Sequence, residues 1–283
     1  AKIEIEHGYI NATCENLKGA KIRFEKVSVG ATANAIMVSV LADGITNLHN
    51  VAKEPEISSL IDYLVLMGAK IEGKNTSHLQ ITGVKKMHPV ETEMMPDRIE
   101  AGTFLIAGAI TGSRISISNC IPEHIQSLLD RLIQTGCKLN ISKRKVEIIP
   151  PAMILPVDIV TYPYPDFPTD LQAQFMALMT LAKGESRIKD TIFPDRFMHV
   201  AELNRLDADI SLEKHVAIVN GVNTLSGAMV MATDLRASAA LVLAGLAAKG
   251  ETTISRIYHI DRGYDKIEVK LQKLGADIKR IKG

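Results

Sequence analysis

Glycines that close apolar helical runs fall at Gly44, Gly112, Gly184 and Gly250, separated by 68, 72 and 66 residues. A second marker, Met67-Gly68-Ala69-Lys70-Ile71, returns as Thr135-Gly136-Cys137-Lys138-Leu139, Leu206-Asp207-Ala208-Asp209-Ile210 and Leu274-Gly275-Ala276-Asp277-Ile278. It follows the first marker by 23 to 25 residues each time, so both belong to one repeated supersecondary unit. Each unit reads helix, strand, helix, strand, strand, at 28–84, 97–150 and 168–222. The last opens with a helix over 233–249 closed by Gly250, a strand over 252–257 and an amphipathic helix over 262–274. Ala1-Lys2-Ile3-Glu4-Ile5 matches Ala69-Lys70-Ile71-Glu72 one repeat later, so the chain is expected to open in the last third of a unit.

First helices such as Gly102–Ile110 and 233–249 are small and apolar on every side. A helix with no polar stripe cannot lie on a surface, which predicts an α/β fold with helices inside and sheets outside, each sheet keeping one wet face. Between repeats, Lys85–Met95 lacks helical periodicity, and this places a domain boundary near 95, giving domains 1–95 and 96–283. A chain of 283 residues with 46% hydrophobic composition is long enough for two cores.

A net charge of +1 excludes a general field for nucleic acid, so any anion must be bound locally. Apolar runs are too short and interrupted for membrane insertion. The three cysteines lack paired spacing, which points to a reducing compartment. Cys14 is expected in a turn, Cys120 at a strand end and Cys137 at a helix end, none beside a base. The histidines lack ligand spacing; no metal and no cofactor is expected, and His199, inside a helix predicted over 196–206, reads as a packing residue.

Helix starts occupy the same place in every repeat, so their polar groups are expected to converge. Ser28, Asp97, Thr169 or Asp170, and Asp234 each also read as simple N-caps. The arginines fit that reading less well, because Arg is a donor whose charge opposes the positive end of the helix dipole. Arg196, Arg236 and Arg262, expected at or near helix starts, describe an anion pocket, with ion pairs to Asp195, Asp234 and Asp261 as the rival explanation. Arg98 is weaker, since Asp97 and Glu100 can satisfy it locally. Lys26-Val27-Ser28-Val29-Gly30 could hold a diphosphate on backbone N–H groups, but it lacks the glycines of a Walker loop.

These stretches, with Pro96–Phe104, Phe167–Phe175, Arg196–Val200, Met231–Gly245 and Ile257–Asp265, resemble the UDP-N-acetylglucosamine enolpyruvyl transferase family over nearly the whole chain. The EPSP synthases share the architecture but not these motifs. The resemblance implies inside-out α/β barrels of βαβαββ units, the first domain binding the UDP-sugar and represented here by its C-terminal part. It implies transfer of the enolpyruvyl group of phosphoenolpyruvate to the 3′-hydroxyl of UDP-N-acetylglucosamine with release of phosphate, the first committed step of peptidoglycan synthesis, in the bacterial cytoplasm. Lys26, Val27, Ser28, Val29, Asp170 and Ile192 match UDP-N-acetylglucosamine contacts. Arg196, Arg236 and Arg262 match the arginines around phosphoenolpyruvate, Asp170 and Arg262 the catalytic pair, and Asp234, Glu54 and Arg98 have supporting roles.

The family's Lys-Asn pair and its loop cysteine, a general acid, lie upstream of this chain's first residue, and Cys14, Cys120 and Cys137 do not correspond to that cysteine. The chain is therefore expected to need an N-terminal segment of its own fold and to be inactive alone. A sister enolpyruvyl transferase for another alcohol, or a non-catalytic repeat scaffold, are the alternatives; the second would leave Asp170 and the three arginines free to drift, and all four stand in their motifs.

Overall fold

A computed structural model describes residues 2–281. Ala1, part of the repeat match at the start, and Lys282 and Gly283, at the end of the expected second domain, lie outside the described residues. The chain divides into two compact units at 95/96.

The first unit opens with an antiparallel hairpin, β1 (Lys2–Glu6) and β2 (Tyr9–Thr13). Cys14 therefore follows a strand directly, where a longer turn was expected. Then come β3 (Lys21–Arg23), α1 (Val29–Ser39), β4 (Ile45–His49), α2 (Pro55–Leu66), β5 (Lys70–Glu72) and β6 (His78–Thr82). These strands form a sheet in the order β3-β4-β6-β5, with β3 and β4 parallel and the other pairs antiparallel.

The second unit repeats the plan. Its first repeat is α3 (Arg98–Ile110), β7 (Ile115–Ser118), α4 (Gln126–Gln134), β8 (Lys138–Ser142) and β9 (Lys145–Ile149). The next is β10 (Ile159–Thr161), α5 (Gln172–Met179), β11 (Glu185–Asp190), α6 (His199–Asn204), β12 (Asp209–Glu213) and β13 (Val216–Asn220), with strand order β10-β11-β13-β12 as in the first unit. The last comprises β14 (Met229–Met231), α7 (Leu235–Ala247), β15 (Thr253–Ser255) and α8 (Ile267–Lys273). Residues 274–281 carry no strand, so this repeat lacks the terminal strand pair among the described residues.

The marker glycines have a common physical reason. Gly44, Gly68, Gly112, Gly136, Gly184, Gly250 and Gly275 all take positive φ, the left-handed turn that ends a helix and that a Cβ disfavours. In the second marker of the third repeat, Asp207 stands where the others have glycine and adopts φ 64, a conformation a short polar side chain tolerates. Helix starts are fixed by side-chain oxygens: Ser28 accepts from Ala31 N, Asp97 from Ile99 and Glu100 N, and Asp234 from Arg236 and Ala237 N.

Helices α3, α5 and α7 pack on one another, and α5 is buried along its whole length. Leu105, Phe175 and Leu243 join one core with the inner faces of the sheets. Each such side chain contributes about 1.5–3 kcal/mol by leaving water. Strand β11 alternates exposed and buried residues, with Ser186, Ile188 and Asp190 inward and the other face wet, the arrangement expected for sheets outside helices.

Four helix boundaries differ from the sequence reading. The expected helix 262–274 is a 3-10 turn, Ile257–Arg262, and then α8 from Ile267, because Lys266 at φ 48 interrupts the spiral. Arg262 therefore ends a turn and does not begin a helix. The helix expected over 196–206 begins at His199, leaving Arg196 in the preceding loop. Neither Thr169 nor Asp170 caps α5, which is entered through a 3-10 turn over Thr169–Leu171. In addition, α7 ends at Ala247, three residues before Gly250.

Candidate active site

Six of the expected residues meet in the second unit. Asp170, Ile192, Arg196, Asp234, Arg236 and Arg262 line one cavity of about 660 Å³. Four chain segments build it: the 3-10 turn before α5, the loop after β11, the head of α7 and the turn ending at Arg262.

Asp234 closes the head of α7, its Oδ1 accepting from Arg236 N at 2.8 Å and Ala237 N at 2.9 Å. This cap faces the Arg236 side chain outward from an otherwise apolar helix. Arg236 Nε then donates to Asp170 Oδ1 at 2.9 Å, with 18% of the arginine side chain and 39% of the aspartate exposed. Burial disfavours the guanidinium charge, but Asp170 and the nearby Tyr264 hydroxyl outweigh it and the pKa is raised. Arg236 is thus a fixed cation.

A buried carboxylate fixes the loop after β11. Asp190, 1% exposed, accepts through Oδ1 from Thr161 Oγ1 and from the backbone N–H groups of Ile192 and Phe193, and through Oδ2 from Thr169 Oγ1. It pins the loop that carries Ile192 and Arg196. The Arg196 guanidinium lies 3.7 Å from the centroid of the Phe193 ring, and its Nη1 reaches Thr169 Oγ1 at 3.5 Å. Arg262 is exposed at the cavity edge. Gly263 allows its turn to come close to α7, since a Cβ there would stand 2.8 Å from Leu235 Cδ2.

The rival ion pairs do not form as expected. Asp195 sits 3.4 Å from His215, Asp234 caps its helix, and Asp261 binds Arg280 at 2.6 Å. The neighbouring acids are engaged elsewhere, and the three guanidinium groups face the cavity. Three donor forks beside the Asp170 carboxylate in a partly enclosed space suit a phosphorylated, carboxylated ligand with a hydroxyl to be deprotonated nearby.

His199 is 1% exposed beneath the site, and its pKa is lowered to about 4. Burial is the main cause, with Arg196 adding and Asp234 and Asp190 opposing. It is a neutral packing residue beside Phe197. Cys120 and Cys137 are buried, which raises both thiol pKa values, and Cys14 is exposed.

Arg98 is not among the residues lining this cavity. It is buried at the head of α3 with its guanidinium over the Tyr164 ring at 5.7 Å, and the expected local partner Glu100 binds Lys270 at 2.5 Å. In the first unit, Lys26 and Ser28 are exposed ahead of α1, Val29 is exposed at its first position, and Val27 packs on that unit's core. Ser28 acts as the N-cap at 3.3 Å, and Glu54 is buried at the head of α2, where Pro55 takes the first helical position.

Sequence reasoning missed Asp190, Gln174, Thr103 and Tyr264. Thr103 and Gln174 were legible as polar residues inside apolar helices. Asp190 and Tyr264 carried no such signal, since their partners are set only by the tertiary structure.

The fold is shared with enolpyruvyl transferases. Residues 1–271 match the family model of EPSP synthase (3-phosphoshikimate 1-carboxyvinyltransferase). A UDP-N-acetylglucosamine 1-carboxyvinyltransferase of Bdellovibrio bacteriovorus is 54% identical over 282 residues, covering 99% of this chain and 68% of that protein. The protein of the same name from Geobacter metallireducens is also 54% identical, over 100% of this chain and 68% of its own length. The chain thus spans about two thirds of these relatives. Among solved structures, the enolpyruvyl transferase NikO from Streptomyces tendae superimposes with a TM-score of 0.89 at 26% identity, over 98% of this chain and 69% of that one. EPSP synthase from Acinetobacter baumannii, at 15% identity and a TM-score of 0.73 over 97% of this chain and 67% of its own, shares the fold. The chain belongs to the EPSP synthase family of carboxyvinyl transferases.

Proposed function

We propose that this chain carries the phosphoenolpyruvate side of an enolpyruvyl transfer to the 3′-hydroxyl of UDP-N-acetylglucosamine, releasing phosphate. The observation that supports it most is the Asp170–Arg236 pair at 2.9 Å, held at the mouth of a cavity that Arg196 and Arg262 also line. Phosphoenolpyruvate presents a phosphate and a carboxylate, and several guanidinium groups in a partly dry site match them. Asp170 is the base that takes the hydroxyl proton as the sugar oxygen bonds to C2 of phosphoenolpyruvate and the double-bond electrons take a proton from a general acid at C3, giving a tetrahedral phospholactoyl species that then loses a proton from C3 and phosphate from C2. Arg262 and Arg236 hold the phosphate as it departs and the double bond re-forms. Ile192 on the loop after β11, and Lys26, Val27, Ser28 and Val29 in the first unit, are the sugar-nucleotide contacts. Asp234 supports the site by orienting Arg236; Glu54 and Arg98 act on the surrounding helix starts.

The relatives' names favour UDP-N-acetylglucosamine over shikimate 3-phosphate as acceptor. With that acceptor, our reading is the first committed step of peptidoglycan synthesis in a bacterial cytoplasm, serving cell shape and division. Calorimetry with the two acceptors in the presence of phosphoenolpyruvate tests this. Heat with UDP-N-acetylglucosamine that Asp170→Asn alters supports the proposal; a response to shikimate 3-phosphate alone, or to neither, contradicts it.

A further inference from the structure

Asp190 does not line the cavity, yet its two carboxylate oxygens are divided between two of the segments that build it. It is the last residue of β11, turned inward and 1% exposed. Oδ1 accepts from the backbone N–H groups of Ile192 and Phe193, both at 2.9 Å, and from the Thr161 hydroxyl at 2.8 Å. Oδ2 accepts from the Thr169 hydroxyl at 2.6 Å, and Thr169 is the residue before Asp170 in the 3-10 turn. On the other side, Phe193 sets Arg196: its carbonyl accepts from Arg196 N at 3.0 Å, and its ring lies 3.7 Å from the guanidinium. Hydrogen bonds to a charged acceptor are the strong ones, and at this burial water does not replace them. The turn of Asp170 and the loop of Arg196 are therefore joined through one carboxylate.

We propose that Asp190 is a positioning residue that fixes Arg196 relative to Asp170, by holding the loop with one oxygen and the turn with the other. Its functional consequence rests on the reading of Arg196 as a phosphoenolpyruvate ligand and Asp170 as the base; the geometry does not. Asp190→Asn separates position from charge. The amide can keep its oxygen on the two N–H groups, but its nitrogen can only donate, so the bond to Thr169 reverses and that hydroxyl must send its proton elsewhere. Removing a negative charge behind an anion pocket would by itself tighten anion binding, whereas losing the position of Arg196 weakens it.

The test is calorimetric titration of phosphoenolpyruvate into the full chain, with thermal unfolding alongside. Asp190→Asn should weaken binding by about tenfold, but by less than about twofold when Arg196→Ala is already present, because the displaced group is gone. Thr169→Val should weaken binding in the same direction and Thr169→Ser should stay within about twofold of the unaltered chain. Unchanged or tighter binding in Asp190→Asn, whatever its melting temperature, or an equal factor with and without Arg196, overturns the proposal. If Asp190→Asn does not fold, the contrast between the two Thr169 variants decides. Amide hydrogen exchange at Ile192 and Phe193 keeps the two readings apart. Should the unaltered chain ignore phosphoenolpyruvate, the proposed function fails; exchange at those two amides at least about threefold faster in Thr169→Val but not in Thr169→Ser would still support the coupling, and unchanged exchange would overturn it too.

Discussion

Helices α1 and α7 begin alike, each capped by a side-chain oxygen and each built of small and apolar residues, but they end in different surroundings. Residues Ala237–Ala244 of α7 are all buried, whereas Val29, Met37 and Val38 of α1 are 40%, 46% and 50% exposed. In the second unit α7 has α3 and α5 as sisters; within the first unit α1 packs on α2 and β6. An apolar sequence states how much surface a helix needs covered. Which neighbours cover it is a property of the tertiary structure, and only where three such helices meet does a buried cluster like Thr103, Gln174 and Tyr264 become possible.

The comparison is open to direct attack. The largest contrast should come from truncating one residue in each region. Phe175→Ala, in the buried helix α5, should cost about 3–5 kcal/mol, while Met37→Ala on α1 should stay within about 0.5 kcal/mol. Urea unfolding of the two variants measures both, and equal losses would show that α1 is as enclosed as its sisters.

Next comes the site that only the second unit's helices support. Arg236→Ala removes a largely buried, charge-assisted donor and should weaken phosphoenolpyruvate binding by about 1.5–3 kcal/mol, roughly 10- to 150-fold. Arg262→Ala, at an exposed edge, should lose less. A reversed order in a calorimetric titration would relocate the phosphate contact.

Burial of His199 sharpens the contrast in another variable. Its pKa is depressed to about 4, so the folded chain resists protonation while the unfolded chain accepts a proton near 6.5. Stability is therefore complete above about pH 6.5 and falls as pH drops toward 4, with a slope of at most about 1.4 kcal/mol per pH unit from this group. His199→Gln should flatten that part of the profile; an unchanged slope would assign it to other groups.

The smallest effect concerns the caps. Asp234 accepts two N–H bonds at 2.8 and 2.9 Å, Ser28 one at 3.3 Å. Asp234→Ala should cost about 1–2 kcal/mol and Ser28→Ala about 0.5 kcal/mol, read from thermal unfolding.

Much of the fold was legible because repetition constrains it: glycines and one aspartate with positive φ recur wherever a helix must turn back into a strand. Asp97, Asp234 and Ser28 were legible as caps because capping is local. Arg262 was misplaced at a helix start because the turn over Ile257–Arg262 and the left-handed Lys266 leave no periodic signature. The contact of Arg98 with the Tyr164 ring left no sequence signal, because the two residues are distant in the chain. The Tyr264 cluster was illegible, since its partner Thr103 is 161 residues away and nothing short of the packed helices joins them.

The most direct measurement is a titration of phosphoenolpyruvate into chain labelled at its arginine side chains, followed by NMR. The account predicts that Arg196, Arg236 and Arg262 shift together and saturably, with Arg98 unmoved. Signals from those three that stay fixed while others move, or that respond on unrelated curves, would contradict it.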